Sequence, residues 1–207
     1  MKSHTLTFSC CLILAGCGQP EAEKEPIKLQ GNAMGTTWQV TLRELPDNTS
    51  KEAIQKEIEA TLERIEALAS HWRGDTPVSR FNRTLDTKPF PISSELLAIL
   101  QTAERIHHET GGAFDVTVAP LVNLWGFGPI KETRGKTPTN EEIENALASM
   151  GQDKLVLLPQ SSIRKTRPDL QLDLSALAKG YAIDQVSERL DELGALHYLI
   201  ELGGELR

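Results

Sequence analysis

The sequence predicts an α+β fold, and three observations lead there. Four stretches place apolar residues three and four apart, the spacing of amphipathic helices. Several shorter runs are wholly apolar or alternate with period two, as strands do. The two kinds of element follow one another without the strict alternation that builds a parallel, doubly wound sheet.

Thr37-Trp38-Gln39-Val40-Thr41-Leu42-Arg43 alternates apolar and polar side chains and is the first predicted strand. Leu45-Pro46-Asp47-Asn48 turns the chain, and Thr49-Ser50-Lys51-Glu52 has the pattern of a capping box. The helix that follows sets Ile54, Ile58, Leu62, Ile65 and Leu68 on one stripe for burial. A second helix starts at Ser93 or Ser94 and turns Leu96, Leu97, Leu100, Ala103 and Ile106 inward. Gly111-Gly112 stops it, because glycine tolerates the left-handed conformation of a C-terminal cap. A third helix runs from the capping box Thr139-Asn140-Glu141-Glu142 to Gly151, with Ile143, Ala146, Leu147 and Met150 facing the core. Lys154-Leu155-Val156-Leu157-Leu158 is expected as a strand and Leu170 to Leu174 as another. The fourth helix occupies Ala176 to Leu193 and ends at Gly194, and Leu196 to Leu202 forms a strand running into Gly203-Gly204.

Ahead of these elements the chain carries a targeting pattern. Lys2 supplies a positive start, Leu6 to Ala15 a mostly apolar core, and Leu14-Ala15-Gly16-Cys17 matches a lipobox, with small residues before a thiol nucleophile. The apolar run is too short to span a bilayer. The expectation is a lipoprotein signal peptide at residues 1–16, lipidation at Cys17, a flexible tether at residues 17–30 and one domain at residues 31–207. The alternative is an ordinary signal peptide with a chance cysteine. About three acyl chains on Cys17 would exceed the single-chain limit of reversible membrane binding. Cys10 and Cys11 leave with the signal, so no thiol pair remains for a disulfide and the domain depends on its core. Loss of Lys2, the one fixed charge in residues 1–16, takes the net charge from −7 to −8. Such acidity argues against nucleic acid as a partner, and against adhesion to anionic lipid beyond the anchor itself.

Four segments stand out as carriers of chemistry, each with two readings. Ala33-Met34-Gly35-Thr36-Thr37 can let backbone and thioether approach a flat ligand, or it can simply begin a strand with a buried methionine. Trp72, in Ser70-His71-Trp72-Arg73, can stack on a base or plug the core at a helix end, and Arg80 can pair with a phosphate or with the domain's own acids. The glycine- and aromatic-rich run Thr110 to Gly128 suits a cofactor pocket. Within it, Asp115 can accept hydrogen bonds from a ligand or cap the next turn, while Trp125-Gly126-Phe127-Gly128 reads as core and turn. Leu172-Asp173-Leu174-Ser175-Ala176-Leu177-Ala178-Lys179 places an acid before a helix start and a lysine four residues in. A phosphate is favoured there by the unpaired N–H groups and partial positive charge of a helix N-terminus. It is not a Walker A loop, since the glycine-rich lead-in is missing. His107 with His108, His71 and His197 lack partners at metal-ligand spacing and are expected to be structural.

Taken together and in this order, these segments resemble the ApbE family of FAD:protein FMN transferases. The resemblance rests on Ala33-Met34-Gly35-Thr36, Ser79-Arg80-Phe81-Asn82 and Gly112-Ala113-Phe114-Asp115 with Pro120 to Gly128. It continues through Leu172-Asp173-Leu174-Ser175 with Lys179-Gly180-Tyr181-Ala182-Ile183-Asp184 and ends at Gly203-Gly204. It implies an ApbE-like mixed sheet with packed helices, and transfer of FMN from FAD to a Thr or Ser hydroxyl of an acceptor flavoprotein, with release of AMP. Mg²⁺ is the implied metal, bridging the pyrophosphate. The implied acceptors are subunits of sodium-pumping NADH:quinone reductase or of the Rnf complex, which places the anchored domain on the periplasmic face of the inner membrane of a bacterial envelope. By matching positions, Met34, Trp72, Ala113, Phe114, Asp115, Asp173 and Lys179 are the implied FAD contacts, and the Ala176 carbonyl is one implied magnesium ligand.

Members of the family run considerably longer. Their later half supplies a histidine-containing segment and an Asp/Thr-bearing motif that complete the metal site and provide the base. This chain is therefore expected to hold the N-terminal part, with the catalytic residues outside it. A truncated, inactive flavin-binding lipoprotein stands as the alternative, and a poorly folding remnant with an open sheet edge as a third reading.

Overall fold

The computed structural model describes residues 25–207. The expected signal peptide, Cys17 and most of the expected tether lie outside the described residues.

Strands β1 (Ile27–Ala33) and β2 (Thr36–Leu42) form a hairpin. After helix α1 (Lys51–Ala69) come a short α2 (Pro77–Arg83), β3 (Phe90–Pro91), α3 (Ser94–Glu109) and α4 (Ala119–Leu124). Helix α5 (Asn140–Ser149) leads into the hairpin β4 (Leu155–Leu158) and β5 (Ser162–Lys165). Helix α6 (Ser175–Glu192) precedes β6 (Tyr198–Leu202) and β7 (Glu205–Leu206). One antiparallel sheet has the order β1-β2-β6-β7 and a smaller one the order β3-β5-β4, so the α+β expectation holds. Among the described residues no helix is long and apolar enough to cross a membrane.

The larger sheet buries one face. Leu29, Trp38, Val40, Leu42, Ile200 and Leu202 pack against Ile54, Ile58, Leu62 and Ile65 of α1 and against Ala182, Ile183, Val186 and Leu190 of α6. A second core gathers Val78 and Phe81 of α2, Leu96, Ile99 and Leu100 of α3, and Leu170, Leu172 and Leu174 ahead of α6. Met34 and Tyr181 touch both cores, so the seam between them runs past the β1-β2 turn and the start of α6.

Several expectations change. The first strand of the sheet is β1, which starts inside the segment expected as tether, and Ile27, Leu29, Gly31 and Ala33 supply its alternation. Ser50 rather than Thr49 caps α1, accepting from the Ala53 N–H at 3.1 Å, while the Thr49 hydroxyl donates to the Pro46 carbonyl. Thr139 and Glu142 do form the expected reciprocal box. Leu68 and Ile106 are half-buried, and Ala69 and Ile99 take the buried places. Leu147 is 51% exposed because α5 packs mainly on short α4 rather than over a sheet.

Leu170–Leu174 has no regular secondary structure and pairs with no strand among the described residues. The Asn82 side chain bonds the Leu172 backbone in its place, and the Asp173 N–H donates to the Val116 carbonyl at 2.8 Å. Strand β5 went unread because only Ile163 is apolar and its other inward residue is Lys165. That lysine is fully buried. Its ammonium donates to the carbonyls of Phe81 (3.0 Å), Thr84 (2.9 Å), Pro168 (3.2 Å) and Leu170 (2.9 Å), and sits 4.6 Å from the Phe81 ring centre. Four carbonyls, of which those of Phe81 and Leu170 are buried, thus meet one cation.

Candidate functional site

The β1-β2 turn is the first wall of the site. Ala33 faces Thr36 across it, leaving Met34 (φ 51°) and Gly35 (φ 75°) as the two central residues. Positive φ at both is the type I′ hairpin geometry, normally filled by Asn-Gly. A methionine there is strained, and such strain gathers where a site requires it. The Met34 N–H donates to Glu66 Oε2 at 2.9 Å, tying the turn to the last turns of α1. On the other side, Gly203 and Gly204 (φ 57° and 98°) turn β6 into β7. A Cβ on Gly203 would lie 2.8 Å from Thr36 Cγ2, so the two hairpin turns nest only because that residue is glycine.

Between the β1-β2 turn, the end of α1 and the start of α6 lies a cleft of about 430 Å³. Its walls are Met34, Gly35 and Glu66, the stretch Ala69-Ser70-His71-Trp72, and Ser175, Ala178 and Lys179 of α6. Trp72 stands half exposed at 52%, its indole free to take a stacking partner, so it does not plug the core. Lys179 projects from the first turns of α6 and is held by Glu205 of β7 at 2.8 Å and 2.9 Å to its two carboxylate oxygens. Ser175, the first residue of that helix, lines the cleft beside Lys179, and no acidic residue falls within the helix's first turn.

Asp173 lies behind this wall rather than in it. Its Oδ1 accepts from the Ser175 N–H at 2.8 Å, capping α6 where Leu174 offers no side-chain cap. The same oxygen is 3.4 Å from His71 Nδ1, both side chains being buried. Burial holds His71 below its ordinary pKa, with the Asp173 charge opposing, so the ring is neutral at pH 7. His71 Nε2 is buried without a partner.

The cleft therefore collects Met34, Trp72 and Lys179, with Asp173 one layer behind. It does not collect Ala113, Phe114 and Asp115, which sit on the loop after α3. The Asp115 carboxylate accepts from the Thr117 N–H (2.7 Å), the Thr117 hydroxyl (2.6 Å) and the Gln152 N–H (3.2 Å), and so caps its own turn. His107 Nδ1 lies 2.7 Å from the Phe114 carbonyl, consistent with a structural histidine. This loop adjoins the cleft's inner layer through the Val116–Asp173 bond. Arg80 donates to the Asp75 carbonyl instead of facing the cleft. Trp125 and Phe127 are 46% and 76% exposed, so only the turn half of that expectation holds. Ala176 is exposed in the first turn of α6. Its carbonyl is an oxygen of the hard type magnesium takes. Among the described residues, however, no group of three or more His, Cys, Asp or Glu is arranged to hold a metal, and Ala176 by itself is not a magnesium site.

Glu66 and His71 are the wall residues sequence reasoning missed. Glu66 falls on the polar flank of an amphipathic helix, where a carboxylate needs no explanation. A lone histidine at a helix end gives no periodic signal.

An aromatic, a cation and a helix start around one cleft of an α+β domain make an arrangement that suits a nucleotide. The chain belongs to the ApbE family, whose pattern matches residues 34–207. It is 38% identical to the FAD:protein FMN transferase of Vibrio cholerae over 208 residues, covering 100% of this chain and 60% of that protein. With the enzyme of the same name from Haemophilus influenzae it shares 39% identity over 212 residues, again 60% of the relative. Among solved structures it superposes on the flavin transferase ApbE of V. cholerae with a TM-score of 0.84 at 38% identity, covering 88% of this chain and 59% of that one. The apo flavinyl transferase ApbE of Pseudomonas stutzeri gives 0.81 at 35%, covering 88% and 58%. The chain thus spans about 60% of the length of the curated relatives it matches.

Proposed function

We propose that this chain supplies the flavin-nucleotide cleft of a FAD:protein FMN transferase. The observation that carries the reading is the convergence of Trp72, Met34 and Lys179 on one cleft at the start of α6, in a chain whose relatives bear that enzyme name. Trp72 would stack a ring of FAD, the Met34 thioether would lie against it, and Lys179 with the α6 N-terminus would hold the pyrophosphate. Asp173 would act through the geometry of the α6 start, and the loop Ala113-Phe114-Asp115 would border the nucleotide from the Val116 side.

In the reaction, a Thr or Ser hydroxyl of the acceptor flavoprotein attacks the FMN-side phosphorus. A new phosphoester forms, the bond to the other phosphate breaks, and AMP leaves as the hydroxyl proton departs. Lys179 can neutralise charge on the pyrophosphate as it is redistributed. Dependence on Mg²⁺ enters the proposal through Ala176 alone, whose carbonyl offers one oxygen. The acceptor would be a subunit of a sodium-pumping NADH:quinone reductase or Rnf complex. Lipidation at Cys17 would hold the domain on the periplasmic face of the inner membrane.

The test is incubation of the purified chain with FAD, Mg²⁺ and an acceptor subunit, reading the acceptor's intact mass and AMP by chromatography. FAD binding is the outcome the cleft predicts, and Trp72→Ala should weaken it by about tenfold or more; a gain of one FMN with matching AMP would support the transferase reading for this chain. FAD binding without AMP would leave the second reading, a flavin-binding lipoprotein. Absence of FAD binding would sink both.

A further inference from the structure

The reading of the cleft leaves one of its wall residues unexplained. Several buried side-chain polar atoms lack a partner among the described residues, and of these only His71 Nε2 belongs to a residue of the cleft wall. The other such atoms sit on Trp38, Asn123 and Gln152, away from it. The His71 side chain is only 5% exposed, so Nε2 lies away from bulk solvent. Buried polar groups are nearly always paired, and an exception calls for a cause.

The two ring nitrogens have different surroundings. Nδ1 faces the Asp173 carboxylate at 3.4 Å, and Asp173 is itself fixed by the Ser175 N–H on α6. A carboxylate opposite Nδ1 favours the tautomer with its proton there. That leaves Nε2, on the far side of the ring from Asp173, as a lone-pair acceptor. Trp72 is the adjoining wall residue, its ring centre 5.7 Å from the imidazole and tilted by 41°. A planar ligand resting on Trp72 would bring its edge groups to the histidine.

We propose that His71 is a specificity-determining residue of this cleft: its Nε2, with the tautomer set by Asp173, accepts a hydrogen bond from an N–H or O–H of the bound flavin nucleotide. The inference rests on the flavin-nucleotide reading above and deepens it. The acceptor character has a consequence for selection. A lone pair attracts the ring imide, amino or sugar hydroxyl groups of the nucleotide and repels its phosphate oxygens, which fall to Lys179 and the helix start. The lowered pKa of His71 supports the same assignment, because a neutral ring keeps that lone pair at pH 7.

The test uses the 207-residue chain and follows quenching of flavin fluorescence as FAD is titrated into wild type, His71→Gln, His71→Asn and His71→Phe. Glutamine can place a polar atom near the position of Nε2, and asparagine near that of Nδ1. Wild type and the Gln variant should bind FAD within about threefold of each other, with the Asn and Phe variants weaker by about tenfold or more. Circular dichroism melts identify any variant that fails to fold. If the Phe variant does, the Gln and Asn pair decides alone. Equal affinity across all variants would overturn the inference and leave the flavin reading standing. Retention by Asn with loss in Gln would also overturn it, showing that His71 serves only to orient Asp173. A wild-type chain that binds no FAD would remove the flavin reading and the inference together.

Discussion

The side-chain amide of Asn82 donates to the Leu172 carbonyl at 2.8 Å and accepts the Leu172 N–H at 2.7 Å. One side chain on α2 thereby does for a buried backbone what a neighbouring strand would do. The segment it holds leads directly into Asp173 and the start of α6, so this pair positions the inner layer of the cleft. Asn82→Ala would leave both Leu172 groups unpaired in the core, at a cost of about 2–4 kcal/mol. Urea unfolding should show that loss, and FAD affinity should fall with it.

Lys165 anchors the start of the same segment through the Leu170 carbonyl. Lys165→Met keeps the length of the side chain but strips four carbonyls, two of them buried, of this donor. A loss of about 3 kcal/mol or more is expected in chemical denaturation. Burial lowers the ammonium to about 8, with the Asp169 charge opposing. The carbonyls also favour the charged form, so Lys165→Met should be destabilising on both sides of pH 8.

The His71–Asp173 pair sets a dependence on acid. Burial puts the folded-state pKa of His71 below 6.5, so the unfolded chain takes up its proton first as pH falls. The contribution of this group is fully present above pH 6.5 and is lost as pH drops through the lowered folded value. His71→Gln should flatten that part of a stability profile measured between pH 7 and 5. An unchanged slope would mean that other groups carry it.

Met34 holds a left-handed backbone conformation that suits asparagine or glycine better. Met34→Asn should stabilise the hairpin by about 0.5–1 kcal/mol, seen as a higher melting temperature. It should weaken FAD binding as the thioether leaves the cleft. A variant that is more stable and binds equally well would show that the strain serves no ligand.

Glu205 competes for the Lys179 ammonium. Glu205→Gln frees that cation and removes a negative charge beside the cleft. FAD affinity should rise about threefold at low salt, and the gain should shrink as ionic strength increases. Riboflavin, which has no phosphate, should not show the gain.

Much of this was legible because it is local. The stripe of Ile54, Ile58, Leu62 and Ile65, the Thr139 box and the strand pattern around Val40 are written in residues a few positions apart. Motif order also carried the family, and with it Met34, Trp72 and Lys179 at one cleft. Strand β5 escapes the apolar pattern, and the Leu170–Leu174 segment only mimics a paired strand, for one reason. In both places a polar side chain replaces what the pattern assumes, an apolar residue in Lys165 and a partner strand in Asn82.

By itself, then, the sequence determined the α+β class, the helices, the acidic charge and the family, since periodicity and motif order survive without coordinates. The tertiary structure alone decided the rest. It put Asp115 to work capping its own turn, clasped Lys179 with Glu205, and set His71 against Asp173 with one nitrogen unpaired. Asp115 also meets Gln152, 37 positions on. The Lys179–Glu205 and His71–Asp173 pairs join residues 26 and 102 positions apart, and no window of neighbouring residues contains both partners.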